Sequence, residues 1–130
     1  MKIVQALPPI YDEAAKVFDI PKTAVFAYGD TLYNPAGGNI SADLMEHEQT
    51  HQKQQAEMGV TVWWNRYLHN ADFRLSQEIE AYKAQYKYFC QQYTDRNVRM
   101  RFLNRIASDL ASPMYKVNIS LQEARGRIGL

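Results

Sequence analysis

The run EHEQTHQKQQ, residues 46–55, contains no apolar side chain, and it restricts the possible folds more than any other stretch of the chain. The flanking residues predict a helix over about 42–58: Ser41 stands at an N-cap position, Asp43 falls in the first turn, where the helix dipole favours an acid, and Gly59 offers a stop. The chain has 130 residues, of which 46% are hydrophobic, so it is expected to form one domain, 1–130, with a real core. In a domain of that size a long helix has to bury a face. The stripe that would ordinarily carry leucines reads Leu44, His47, His51, Gln55, Met58. Histidines therefore occupy inward positions, and the fold has to give buried imidazoles something to bind.

Residues four apart lie one above the other on a helix, so His47 and His51 project together. Two imidazoles at that spacing can reach one zinc ion at roughly 2.0–2.1 Å each. Glu48, between them in HEQTH, is then placed as a general base toward water at the metal. The plain alternative is a solvated polar helix. It is disfavoured because 46–55 offers no other face to bury, and because two of the three histidines in the chain fall in this register around a glutamate.

A catalytic zinc needs a third protein ligand and one open position. A glycine and a third histidine soon after His51 would supply it in one large class, but the sequence there is QKQQAEMG. The remaining candidates are Glu78 and Glu80 on a downstream helix, with His69 as a rival. The two glutamates lie about 200° apart around a helix and cannot share a site. The apolar stripe Leu75, Ile79, Tyr82, Tyr86 favours Glu78, which lies about 60° from its centre, and leaves Glu80 as a solvated charge.

The remaining pattern predicts an α+β fold, mostly helical, with a small N-terminal β-hairpin or sheet. A short helix over 9–18 opens at Pro9, and TAVFAY and TLY form a hairpin about Gly29-Asp30. A short helix or helical turn over 61–70 precedes a long helix capped by Asp72 and running to about Tyr93. A further helix over about 96–111 is capped by Thr94 or Asp95, and a last one is opened by Ser120 and Glu123. Net charge of +1 gives no footing for nucleic-acid binding. No segment is apolar and long enough for a signal peptide or a membrane span, so a cytoplasmic protein is expected. Cys90 is the only cysteine, which excludes an internal disulfide and a cysteine-built zinc site.

His-Glu-x-x-His followed by a glutamate on a later helix resembles the gluzincin metallopeptidases. Their third-ligand motif E-x-x-A-D aligns with Glu78-Ile79-Glu80-Ala81-Tyr82, and the resemblance implies Glu78 as a zinc ligand. The last position departs, with Tyr82 where an acid would support a histidine. The chain is more closely similar to short HExxH proteins of bacteria and their phages, through VFAYGDTLYNP, the HExxHxxQQ run, the tryptophan pair in WWNRYL, FRLSQEIEAY and SPMY, over about residues 24–126. A minimal zincin-like domain acting on a peptide or protein substrate is what this resemblance implies.

Tyr67, His69, Tyr82 and Tyr115 are each candidates to support a ligand or to stabilise an oxyanion. Trp63 and Trp64 either cover a core or wall a substrate site, and SPMYK (112–116) either crosses a cleft or simply joins helices. Two functions follow. One is a zinc peptidase with Glu48 as base. The other is a zinc-stabilised structural or interaction domain, for which the small size of the chain speaks. The presence of Glu48 favours the enzyme, since a structural site has no use for a base.

Overall fold

The computed structural model describes residues 2–129, which form a mostly helical α+β fold. In chain order the elements are β1 (Lys2–Val4), α1 (Tyr11–Val17), β2 (Phe26–Tyr28), β3 (Thr31–Tyr33), α2 (Ala42–Met58), α3 (Val60–His69), α4 (Ala71–Gln92), α5 (Arg96–Ala111) and α6 (Leu121–Ile128). The sheet has the order β1-β3-β2, with β2 antiparallel and β1 parallel to β3. The hairpin turns at Gly29-Asp30, where Gly29 takes φ +63°, a conformation that a side chain would resist.

β1 lies outside the sequence expectation. Three residues are too few to show an alternation, and their partner is brought to them across α1 and β2. Two helix starts also differ. α1 begins at Tyr11, after a turn in which the Tyr11 amide donates to the Pro8 carbonyl at 3.0 Å. α4 is capped by Asn70, whose side chain accepts from the Phe73 amide at 3.0 Å. Asn70 has the extended backbone that a cap needs, whereas Asp72 already lies in the first turn. Asp95 and Ser120 cap α5 and α6 as expected. Ser41 occupies the cap position of α2 without a side-chain capping bond.

Single residues join the three central helices. Gly59, at φ +99°, ends α2 and starts α3, and Asn70 ends α3 and starts α4. Such short connections leave each helix little freedom relative to the next.

Apolar side chains gather in two clusters. One joins Ile79 and Tyr82 of α4 to Phe102, Ile106 and Leu110 of α5 and to Ile128 of α6. The other joins Ala14 and Phe18 to Phe26 of β2 and to Trp63, Trp64, Tyr67 and Leu68 of α3. Helix α2 adds only the half-buried Met58, at its end, to the second cluster: its fully buried side chains are His47, Glu48, His51, Gln54 and Gln55. Facing it, α4 buries Arg74, Glu78 and Gln85. The result is a polar seam where the clusters meet, with the His47 ring 4.4 Å from Tyr82 of the first cluster and the His51 ring 5.4 Å from Trp63 of the second. No helix among the described residues is long and apolar enough to cross a membrane.

Gln55 is fully buried and holds the hairpin to α2. Its Nε2 donates to the Ala27 carbonyl at 2.9 Å, and its Oε1 accepts from the Gly29 amide at 2.7 Å. The primary amide thus takes the place of a neighbouring strand along the outer edge of β2. Replacing Gln55 with leucine keeps the volume and strands both backbone groups, each at about 1–3 kcal/mol. Urea unfolding of Gln55→Leu is expected to show about 2–6 kcal/mol of lost stability. A loss within experimental error would mean that the hairpin is held by other contacts.

Candidate metal centre

His47 and His51 sit one turn apart on α2, and Glu78 reaches them from α4. The Nε2 atoms of the two imidazoles are 3.2 Å apart. Glu78 Oε1 lies 3.1 Å from His47 Nε2, and Oε2 lies 3.2 Å from His51 Nε2. Among the described residues these three form a group whose ligand atoms all lie within 4.8 Å of one another, every member buried. The sequence-expected trio is therefore brought together. Glu80 is exposed and stands outside the trio, but it is not a free solvated charge, since its carboxylate accepts from Gln54 of α2.

The far nitrogen of each imidazole is committed elsewhere. His47 Nδ1 lies 3.0 Å from Gln85 Oε1, and Gln85 Nε2 in turn donates to Asp43 Oδ2 at 2.9 Å. His51 Nδ1 lies 2.8 Å from Gln54 Oε1, and Gln54 Nε2 donates to the Gln77 carbonyl at 3.1 Å and to Glu80 Oε1 at 3.3 Å. An amide oxygen only accepts, so both imidazoles carry hydrogen on Nδ1 and turn Nε2 inward. Two Nε2 lone pairs and a carboxylate directed at one point form a donor set that suits zinc. Gln54 and Gln85 do what was considered for Tyr82, whose hydroxyl instead meets that of Tyr115 at 2.8 Å. Tyr82 contributes its ring, packed edge-on against His47.

Tyr67 donates to Glu78 Oε2 at 2.5 Å and so orients the carboxylate. Arg74, one turn before Glu78, is buried with its guanidinium over the rings of Phe18 and Tyr67, at 4.7 and 5.7 Å. His69, at the end of α3, is exposed and does not border the cavity beside the trio. Gln54, Gln85, Arg74 and Asp43 were missed by the sequence reading. Helical spacing could have found two of them: Arg74 and Gln85 stand four before and seven after Glu78, on the same face. Away from the site, Arg99 donates to the Tyr93 and Cys90 carbonyls at the end of α4.

A cavity of about 110 Å³ opens beside the trio and is bordered by His47, Glu48, His51 and Glu78. Trp63, Trp64 and Tyr67 wall it while also belonging to the second apolar cluster, so the covering role and the walling role coincide. Met114 and Tyr115, from the α5–α6 connection, close another side, which settles the placement of SPMYK over the cleft.

The buried charges adjust to one another. Burial raises the Glu48 carboxyl above its usual range and Glu78 adds to this, while both histidines pull the other way. Burial opposes charge on His51, but the Glu78 carboxylate overcomes it and, with Glu48 and Gln54, pushes the pKa up to about 9. Burial likewise opposes charge on Glu78, and His51 and His47 together hold it well below the carboxylate range. Without metal, the site is thus a His51–Glu78 ion pair at neutral pH.

No protein-family model, curated protein or solved structure matches the chain.

A metal entering this site has to displace the proton on His51. Zinc binding near pH 7 is expected to release about one proton from His51, and affinity should keep rising with pH up to about 9. The same shift has a stability consequence. A pKa raised from 6.5 gives the metal-free fold a contribution that is complete below about 6.5 and lost as pH climbs through about 9. Titration calorimetry in buffers of different ionisation heat reads the proton count, and zinc uptake without proton release would contradict the ion pair. Removing an amide that orients a ligand has a separate signature: Gln54→Ala and Gln85→Ala should each weaken zinc binding by about 10–100-fold. Chelator competition measures this, with exposed Lys87→Ala as the control expected to be unchanged.

Proposed function

We propose that the chain is a zinc-dependent peptidase that cleaves peptide bonds with Glu48 as general base. The observation that carries this reading is the placement of Glu48. It is buried, contributes no ligand atom to the trio, and borders the same cavity as all three candidate ligands.

His47, His51 and Glu78 would hold the zinc. When bound, zinc supplies a Lewis acid that polarises a carbonyl and makes water more acidic. Glu48 takes the proton from water attacking the carbonyl and passes it to the departing amine. A carboxyl raised by burial suits that sequence, because it can both accept the proton and keep it until the amine leaves. Tyr67 is engaged with Glu78 and holds the ligand in place. Tyr115 borders the cavity, and when Tyr82 donates to its oxygen, its own O–H is left to donate toward charge developing on the substrate.

The burial of the trio also favours a second reading, a metal site that only ties α2 to α4. Glu48 separates the two. Glu48→Gln is expected to retain zinc and fold while hydrolysis falls by about 10²–10⁴-fold. Glu78→Ala should lose zinc, and Glu80→Ala should keep it. A peptide library screened with zinc-loaded and zinc-free protein supplies the substrate. Cleavage that is undiminished in Glu48→Gln would sink the mechanism, and no cleavage of any peptide by the zinc-loaded protein would favour the structural reading.

A further inference from the structure

Asp43, Gln85 and His47 are hydrogen-bonded in series. Asp43 and His47 stand one turn apart on α2, and Gln85 reaches both from α4. Gln85 is buried and Asp43 is half-buried. The Gln85 amide has an oxygen end that only accepts and a nitrogen end that only donates. The two ends are alike in shape, so packing does not choose which of them faces His47. The Asp43 carboxylate does choose, because it only accepts. It draws Nε2 of Gln85 to itself at 2.9 Å and leaves Oε1 for His47 Nδ1 at 3.0 Å. The other imidazole is held differently: Gln54 donates its Nε2 to the Gln77 carbonyl at 3.1 Å, a backbone acceptor, with Glu80 as a further one.

We propose that Asp43 is a positioning residue for the metal: by fixing which end of the Gln85 amide meets His47, it fixes which ring nitrogen of His47 keeps a lone pair for zinc. The inference rests on the zinc site of the proposed function and not on its hydrolytic step. With the amide reversed, its nitrogen would donate to Nδ1, the ring hydrogen would sit on Nε2, and the ligand nitrogen would be capped. Without metal, the surroundings of Nε2 favour that reversed state, because Glu78 Oε1 lies 3.1 Å away and would accept the hydrogen there. The opposing preference has to come from the Nδ1 side. Gln85 alone does not supply it, since it can present either end. Asp43 supplies it, two hydrogen bonds from the ring. Gln54 needs no such side chain, because the Gln77 carbonyl already fixes its amide.

Gln85→Glu isolates the effect, since a carboxylate presents oxygen whichever way it turns and leaves Asp43 nothing to select. Asp43→Asn offers Gln85 either end of an amide. By chelator competition it is expected to weaken zinc binding about 10-fold in the otherwise unchanged protein. Added to Gln85→Glu, the same change is expected to leave affinity unchanged or to tighten it, because it also separates two facing carboxylates. Asp72→Asn, which removes an exposed first-turn acid from α4, is the control expected to show no change. Nitrogen NMR of the metal-free protein gives a readout that needs no zinc. The hydrogen of the neutral His47 ring is expected on Nδ1, to appear on Nε2 in Asp43→Asn, and to return to Nδ1 when Gln85→Glu is added. Equal losses of affinity with and without Gln85→Glu would make Asp43 an ordinary helix acid and overturn the proposal, as would no loss in either. A His47 hydrogen that stays on Nδ1 in Asp43→Asn would overturn it as well. A protein that takes up no zinc would overturn the proposed function, and the NMR of the same variants would then uphold or overturn the role of Asp43 by itself.

Discussion

Helix α2 runs through the middle of the molecule and buries only polar side chains, and the other elements are arranged around that fact. A buried polar group without a partner is strongly destabilising, so each one specifies what must stand beside it. His47 requires Gln85, His51 requires Gln54 and Glu78, and Gln55 requires the edge of β2. Apolar packing could be satisfied by α2 and α4 at several rotations. These directional bonds admit one, which is also the rotation that brings three ligand atoms together.

The two glutamines of the HQKQQ run divide the work between chemistry and architecture. Gln54 orients a candidate ligand, and the next residue, Gln55, secures the hairpin that carries the cavity wall at Phe26 and Ala27. A single turn of helix thus sets both an imidazole and the surface opposite it. The amides carry no charge, so the ion pair between His51 and Glu78 is left to balance the site internally.

Much of this was legible because periodicity and chemistry pointed the same way. Histidines standing in the middle of an inward stripe revealed the buried imidazoles, and the angle from the apolar stripe separated Glu78 from Glu80. What stayed hidden depends on spatial neighbours. β1 is a short strand whose pairing is parallel and non-local, so no local pattern announces it. Asn70 displaced Asp72 as a cap because the turn after α3 makes Asn70 extended, which composition does not reveal. Tyr82 kept its place against His47 but gave the polar contact to Gln85, since that partner is set by the rotation of α4.

The single-residue joints at Gly59 and Asn70 limit how such a chain can change in length. One added residue at either joint would rotate the following helix by about 100° relative to the one before it. At Gly59 that would carry Trp63 and Tyr67 away from His51, and at Asn70 it would carry Glu78 away from both histidines. The segment between β3 and α2, with its paired glycines Gly37 and Gly38, is under no such restriction. Insertions and deletions are therefore expected to be tolerated in that loop and in the connections outside α2–α4, whereas within 42–92 a change of residue count would take the site apart.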